Sequence, residues 1–205
     1  EVKAAGFNTK PGEGYSYVCQ TLDMGISYYR LVYARLTGEP FVVAETKNLL
    51  IREMTTKDLP ELYAVYSTLE DCRYIEQLYD YDKELEFTKN YIKNMYGFFE
   101  YGLWLVFEKK SGELIGRAGI ENREIDGVTC CEIGYLIRRD MQHKGYAYEA
   151  CQAILEYASD ELGIQEMFAV IDKTNEPSRK LAQKLGFELY AQTDGGPDLY
   201  KFVFG

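Results

Sequence analysis

The six residues from Gln142 to Ala147 have the composition and the position of an anion-binding turn. They follow a predicted half-buried strand at residues 131–137 and precede an amphipathic helix that opens near Gly145. The first turn of a helix has backbone N–H groups without partners and carries partial positive charge, so a phosphate binds there without dedicated side chains. Glycine at position 145 lets the backbone approach such a ligand closely. The segment therefore predicts a phosphate site.

Positive charge is concentrated around this turn, although the protein as a whole is acidic. With a net charge of −10 at pH 7, the chain is not expected to bind nucleic acid, which requires a basic surface. The acidic surface would attract a cationic substrate, or would serve only for solubility. Six basic residues nevertheless lie in two short segments that flank the predicted site: Arg138, Arg139, Lys144, Lys173, Arg179 and Lys180.

Three stretches together resemble the GNAT acetyltransferase superfamily. Gln142-His-Lys-Gly-Tyr-Ala147 is similar to the family signature Gln/Arg-x-x-Gly-x-Gly/Ala, and Glu132-Ile-Gly-Tyr135 is similar to the strand before it. Asn175-Glu-Pro-Ser178, followed by Leu-Gly186-Phe187, resembles an Asn-x-x-Ser branch that includes ribosomal-protein Nα-acetyltransferases. The resemblance covers roughly Leu49 to the C-terminus.

The resemblance implies an enzyme that transfers an acetyl group directly from acetyl-CoA to a primary amine, without a metal. The acceptor would be the N-terminus of a protein or a small cationic amine. An alternative is a catalytically weak acyl-CoA-binding sensor or interaction domain, because the tyrosine that the family commonly has seven residues after Asn175 is replaced by Ala182.

The resemblance also implies which residues bind acetyl-CoA. In the family the strand before the turn separates from its parallel neighbour, so that backbone N–H groups at residues 135–137 would contact the thioester oxygen. Asn175 would bond the pantetheine amide or cap its helix, and His143 would contact an anion or solvent. The implied cofactor-binding residues are Tyr135, Leu136, Ile137, Arg138, Arg139, Gln142, His143, Lys144, Gly145, Tyr146, Ala147, Asn175 and Ser178.

Two side chains are candidates for catalysis. Glu132 shares a strand face with Gly134 and Leu136, so its carboxylate would point into the cleft as a base or as an organiser of water. The alternative is that Glu132 is a solvated strand residue. Ser178 would donate a proton to the departing thiolate, or would only satisfy a backbone group of its helix.

Hydrophobic periodicity and the resemblance agree on an α+β fold, with a mixed, mostly antiparallel sheet flanked by helices. A domain at residues 49–205 would follow an arm or linker at residues 1–48 that contains a helix at 24–36. The predicted strands are at 49–54, 103–107, 114–125, 128–137, 167–171, 187–191 and 199–204. Further helices are predicted at 59–69, 84–96, 145–162 and 175–186. Residues 1–23 are predicted to form a loop or a poorly ordered arm.

The aromatic and acidic connection at residues 72–82 is expected to wall the acceptor pocket. Five aromatic residues are candidates to line that pocket: Tyr74, Tyr79, Tyr81, Trp104 and Tyr135.

The five cysteines include no Cys-x-x-Cys pair and the chain has a single histidine, so we predict reduced thiols and no metal site. No apolar stretch approaches the length of a membrane span and no signal pattern is visible at the N-terminus, so a cytoplasmic protein without a membrane partner is expected. The chain would act as a monomer or a homodimer.

Overall fold

A computed structural model describes residues 28–69 and 73–205 of the chain. The chain divides into two compact units between Phe41 and Val42. In the first unit, residues 28–37 form helix α1, which ends at Gly38 with a φ angle of 72°. The helix predicted at residues 24–36 is thus present over the part that is described. The loop or arm predicted at residues 1–23 lies outside the described residues.

The second unit is built on one eight-stranded sheet. Its strands are β1 (Val42–Glu45), β2 (Leu49–Arg52), β3 (Leu103–Glu108), β4 (Leu114–Ile125), β5 (Val128–Ile137), β6 (Glu166–Ile171), β7 (Glu188–Ala191) and β8 (Asp198–Val203). Their order across the sheet is β1-β2-β3-β4-β5-β6-β8-β7. Only the pair of β5 and β6 is parallel, so the mixed, mostly antiparallel sheet predicted from the sequence is confirmed.

Helices flank this sheet on both faces. They are α2 (Leu59–Ser67), α3 (Tyr81–Tyr91), α4 (Tyr146–Asp160) and α5 (Glu176–Leu185), and α3 continues into a π-helical segment, Ile92–Phe99. Short 3-10 segments at Thr56–Asp58 and Arg139–Met141 precede α2 and α4. Over residues 28–69 and 73–205, no helix is both long and apolar enough to cross a membrane.

The hairpin of β4 and β5 sets the register on which the site depends. Asp126 and Gly127 have φ angles of 52° and 77°, the left-handed conformation of a tight two-residue turn, as the Asp-Gly pair predicts. The two strands then pair from Ile125 with Val128 through to Gly116 with Ile137. Because side chains alternate between the faces of a strand, this register decides which residues of β4 and β5 share a face.

Each face of this hairpin meets different helices. On one face, the hydroxyl of Tyr66 in α2 lies 3.4 Å from an Nη atom of Arg117 in β4. On the other face, the hydroxyl of Tyr135 in β5 reaches the backbone carbonyl of Ser178 in α5 at 3.5 Å. The buried residues of α4 have the predicted spacing and are Ala150, Cys151, Ala153, Ile154, Leu155 and Ala158.

The structure corrects the expected pattern in two places. Strand β1 was not predicted, and it extends the sheet to residues before Leu49. The apolar spacing of the helix predicted at residues 84–96 places Phe87 on its inner face, but the side chain is 42% exposed. It packs edge-on against Tyr79 and beside Tyr91 in an aromatic row at the surface.

Candidate functional site

The turn between β5 and α4 presents backbone donors that the fold does not use. The first hydrogen bond of α4 joins the N–H of Glu149 to the carbonyl of Gly145 at 3.0 Å, so the N–H groups of residues 146–148 lie before the helical ladder. Within the described chain, the N–H groups of residues 143–145 make no backbone hydrogen bond either. His143 and Gly145 are left-handed, with φ angles of 60° and 87°, which directs successive N–H groups into one concavity.

Two side chains fix the shape of this turn. The Nε2 amide of Gln142 donates to the carbonyl of Ile137 at 2.9 Å, which closes the turn across its base. The hydroxyl of Tyr146 donates to the carboxylate of Glu108, which ties the first turn of α4 to β3. Both side chains therefore position the backbone rather than project into the concavity.

The basic side chains near the turn differ in whether they are already paired with a carboxylate. Arg138 forms ion pairs with Glu113 at 2.9 Å and with Asp140 at 2.7 Å, so its charge is already neutralised. The ammonium of Lys144 contacts the sulfur of Met141 at 3.1 Å and has no ion pair in the described part of the chain. Arg139 is exposed at the same turn. The positive charge available to an anionic ligand thus comes from Lys144 and the helix N-terminus more than from Arg138.

Beside the turn, β5 and β6 separate. Their ladder has one bridge, between Glu132 and Phe168, although both strands are described over their full length. Beyond this bridge the facing edges of the two strands are free to diverge towards the turn. The sheet therefore contains a gap that begins next to Glu132 and ends at the N-terminus of α4.

Two backbone donors of β5 face this gap. The N–H of Arg138 donates to the carbonyl of Ile115 at 2.7 Å, which fixes the phase of the antiparallel pairing with β4. Alternate residues then direct their N–H groups away from β4, and these include Tyr135 and Ile137. The N–H of Leu136 points to β4 instead, so only two of the three residues predicted at 135–137 offer a donor to the gap.

Helix α5 forms the opposite wall of the gap. The Oδ1 atom of Asn175 accepts the N–H of Ser178 at 3.3 Å, so Asn175 caps the helix, and its side-chain NH₂ makes no hydrogen bond with any described residue. The hydroxyl of Ser178 also has no hydrogen-bond partner among the described residues. Both polar groups are therefore available to a ligand.

An acidic pair lies on the α2 face of the hairpin, next to the gap. Glu121 of β4 and Glu132 of β5 are directly opposite each other in the register. A Cβ atom at Gly134 would lie 2.9 Å from the Oε2 atom of Glu121, so this carboxylate lies against the bare backbone of Gly134. The carboxylate of Glu121 is thereby adjacent to the N–H of Tyr135.

The two carboxylates have different surroundings. Glu132 is 8% exposed and forms an ion pair with the Nε atom of Arg123 at 2.7 Å. Glu121 has no ion pair with any described residue. Burial raises the pKa of the Glu121 carboxyl above its ordinary value, Arg117 lowers it in part, and the negative charges of Glu132 and Glu76 raise it further. The raised pKa, together with the absence of an ion pair to a described residue, makes Glu121 a candidate proton acceptor.

The segment at residues 73–80 closes over this face. The hydroxyl of Thr174 donates to the carboxylate of Asp172 at 2.6 Å, so the 2.7 Å bond between Tyr74 and Thr174 has the tyrosine as donor. Tyr74 thereby connects the segment to the loop that leads into α5. Of the aromatic residues predicted to line an acceptor pocket, Tyr74, Tyr79 and Tyr135 line the cleft.

Trp104 does not belong to that pocket. Its side chain is fully buried, and its ring packs edge-on against Tyr157 at a centroid distance of 5.5 Å. It faces the core because residues of β3 alternate between the two faces of the sheet. The expectation for Trp104 was therefore wrong.

The turn, the gap and the acidic pair line one continuous cleft of ≈ 1290 Å³. It extends from the turn at Gly145, through the gap beside Tyr135 and Ser178, to the acidic pair at Glu121 and Glu132. The turn at Gly145 and the Glu121 carboxylate are thus joined by a passage whose two walls carry hydrogen-bonding groups that no described residue occupies.

Glu121 and Arg117 line the cleft, and neither was predicted from the sequence. The signal was present, because an Asp-Gly turn at residues 126 and 127 fixes the pairing of Glu121 with Glu132 by counting outward from the turn. Arg117 was missed for a different reason. Nothing local predicts that an arginine within an apolar strand is buried at a cleft.

Comparison with known proteins agrees with this geometry. Residues 48–188 match the family model described as acetyltransferase (GNAT) domain. The N-acetyltransferase YnaD of Bacillus subtilis, which is described as uncharacterized, is 33% identical over 143 residues, which cover 69% of this chain and 79% of YnaD. The uncharacterized protein YkkB of the same organism is 33% identical over 134 residues, which cover 65% of this chain and 72% of YkkB.

Solved structures share the fold at lower identity. An acetyltransferase from Agrobacterium tumefaciens aligns with a TM-score of 0.65 and 21% identity, over 78% of this chain and 94% of its own. An acetyltransferase from Salmonella typhimurium that modifies the N-terminal serine of ribosomal protein L7/L12 aligns with a TM-score of 0.66 and 16% identity, over 80% of this chain and 99% of its own. The chain belongs to the GNAT family and is an acetyl-CoA-dependent acetyltransferase.

Proposed function

We propose that the protein acetylates a primary amine directly in the cleft, with Glu121 as the group that takes up the proton. The observation that carries this proposal is the continuity of the cleft, which joins the phosphate-binding turn to the Glu121 carboxylate through the gap between β5 and β6.

The residues around the gap fit acetyl-CoA. The unpaired N–H groups of residues 143–148 and the ammonium of Lys144 would hold its pyrophosphate. The side-chain NH₂ of Asn175 would bond an amide carbonyl of the pantetheine arm. Acetyl-CoA supplies the acetyl group as an activated thioester, and all other steps fall to residues of this chain.

Glu121 suits the first demand of the reaction, which is to remove a proton from an ammonium. Its carboxylate accepts no ion pair from the described residues, and its raised pKa brings it closer to the pH at which a base works best. Glu132 would assist indirectly. Its ion pair with Arg123 keeps its carboxylate beside Glu121, where the negative charge raises the pKa of Glu121.

The reaction must also stabilise the carbonyl oxygen as it becomes negative and protonate the departing sulfur, and one group is available for each step. The N–H of Tyr135 faces the gap next to Glu121 and would stabilise negative charge on the carbonyl oxygen. The free hydroxyl of Ser178 would protonate the departing sulfur. In the balanced reaction the ammonium first loses one proton to Glu121, which passes it to solvent. The amine nitrogen then forms the C–N bond as the C–S bond breaks, and the thiolate takes a proton from Ser178. The second proton lost by the nitrogen restores the Ser178 hydroxyl, so the products are the amide, the CoA thiol and one proton.

The acceptor is tested by measuring release of free CoA thiol from acetyl-CoA over a panel of amines. The panel contains a polyamine, free amino acids with their amides, and short peptides with a free N-terminus. We expect thiol release above the hydrolysis rate with at least one of these classes, together with an acetylated product of the matching mass. Release at the hydrolysis rate with every member would overturn the proposal.

A further inference from the structure

Arg117 is a buried cation that forms no ion pair with any described residue. It is 7% exposed, and it lines the cleft. Among residues 28–69 and 73–205, its Nε atom has no hydrogen-bond partner and no carboxylate lies within ion-pair distance of its guanidinium. Its one hydrogen bond to a described residue is the 3.4 Å contact with the hydroxyl of Tyr66, which is at the long limit for such a bond.

The neighbours of Arg117 are occupied elsewhere. The hydroxyl of Tyr91 accepts the N–H of Leu103 at 2.6 Å, and the hydroxyl of Tyr96 donates to the carbonyl of the same residue. Burial by itself lowers the pKa of Arg117, but Tyr66, Tyr91 and Tyr96 raise it on balance, so the guanidinium is charged at every physiological pH.

A buried charge of this kind needs an anion. Buried cations in proteins are paired with carboxylates or fully hydrogen-bonded, because an unpaired charge away from water is costly. A guanidinium presents a planar fork of donors that matches the two oxygens of a carboxylate. A carboxylate carried by a ligand in the cleft would supply this partner, because Arg117 lines the cleft with an unused donor.

The register places this cation at a defined distance from the proposed base. Arg117 is opposite Leu136, two residues along β5 from Gly134, against which the carboxylate of Glu121 lies. Two residues of a strand span about 7 Å, and Arg117 is close enough to Glu121 for its charge to lower the pKa of that carboxyl. A small molecule can therefore contact both groups at once.

Building on the proposed function, we infer that the acceptor is a small amine that also carries a carboxylate, as in a free amino acid, and that Arg117 is the residue that selects it. The carboxylate of the acceptor lies against the guanidinium of Arg117, which leaves the amine a few bonds away at Glu121. An acceptor that is only cationic leaves Arg117 unpaired and is used poorly.

The test compares each amino acid of the panel with its own amide in the wild-type protein. Glycine and β-alanine, with glycinamide and β-alaninamide, differ only in the anionic group. We expect kcat/KM for the preferred acid to exceed that for its amide at least tenfold, which corresponds to about 1.4 kcal/mol. This comparison needs no variant, so it does not depend on whether a substituted protein folds.

The variant Arg117→Met should reduce this ratio to about one, while the affinity for CoA stays within twofold of wild type. Arg123→Met is the matched control, because Arg123 lies on the same face of β4 but is already paired with Glu132. We expect the control to keep the preference for the acid. Equal use of acid and amide by the wild-type protein, or an unchanged ratio in Arg117→Met, would overturn the inference.

A binding measurement separates this inference from the proposed function. N-acetylglycine should raise the Tm of the wild-type complex with CoA, but should not raise that of Arg117→Met, and N-acetylglycinamide should raise neither. If this pattern appears without turnover of any amine, the Arg117 site stands and the proposed acetylation fails. If amines are acetylated but neither turnover nor Tm depends on the carboxylate, the acetylation stands and the inference about Arg117 fails.

Discussion

Replacement of Glu121 by Gln separates its proposed chemical role from any structural role. A positioned proton acceptor contributes about 10²- to 10⁴-fold to a rate, so we expect Glu121→Gln to lower kcat/KM by that factor, or about 3–5 kcal/mol in the barrier. The side chain keeps its shape, and CoA affinity should not change. The assay is thiol release with the preferred amine across a range of pH.

The stability of the same variant should move in the other direction. The pKa of the Glu121 carboxyl is raised above its ordinary value of 4.5, mainly by burial, so the folded protein holds this proton more tightly than the unfolded chain does. Its ionisation therefore costs stability, and this cost grows as pH rises from 4.5 through the raised pKa of the folded state. At pH 7 the Tm of Glu121→Gln should equal or exceed that of wild type.

The pH dependence supplies an independent check. In the wild-type protein, activity should rise with pH through the raised pKa of Glu121, so the acidic limb lies above pH 4.5. Glu132→Gln removes a negative charge that raises this pKa, so its limb should move to lower pH. Glu124→Gln is the control and should leave the limb where it is, since Glu124 is exposed on the face of β4 opposite to Glu121. Activity of Glu121→Gln within threefold of wild type at every pH would refute the assignment.

Three further substitutions test the walls of the cleft. Ser178→Ala should lower the rate of the chemical step about 10²-fold in single-turnover experiments with little change in CoA affinity, and a loss confined to affinity would contradict the role as proton donor. His143→Gly should raise stability by about 1 kcal/mol, because glycine relieves a left-handed φ of 60°, and a lower Tm would refute this. Tyr74→Phe removes the 2.7 Å bond to Thr174. A neutral hydrogen bond contributes about 0.5–1.5 kcal/mol, so CoA should dissociate roughly 2- to 10-fold faster in stopped-flow measurements. An unchanged dissociation rate would count against a closing role for residues 73–80.

Those parts of the fold that depend on neighbouring residues could be predicted from the sequence. The Asp-Gly turn gave the hairpin of β4 and β5 with its observed ends, because few residue pairs adopt two left-handed conformations in succession. Asn175 and Gly186 likewise mark the ends of α5, where one caps the helix and the other has a φ angle of 96°. The turn at residues 142–147 was predicted by the same kind of signal.

The remaining features depend on contacts between distant residues. Strand β1 has only four residues and is recognisable mainly by its pairing with β2. Phe87 has the apolar spacing of a core-facing helix residue, yet its side chain lines the cleft. Spacing along a helix does not distinguish a residue that lines a cleft from one that packs in the core. The choice of Glu121 over Glu132 depends on the ion pair with Arg123, which only the three-dimensional structure reveals.

The single bridge between β5 and β6 also has a mechanical consequence. The hydrogen-bonded network of the sheet consists of a five-stranded part, β1 to β5, and a three-stranded part, β6 to β8, that share very few backbone bonds. A ligand that donates and accepts hydrogen bonds in the gap acts like an added length of strand between these parts. Its binding would make the two parts unfold more nearly as one unit, so occupancy of the cleft would be reported by the cooperativity of unfolding as well as by its midpoint.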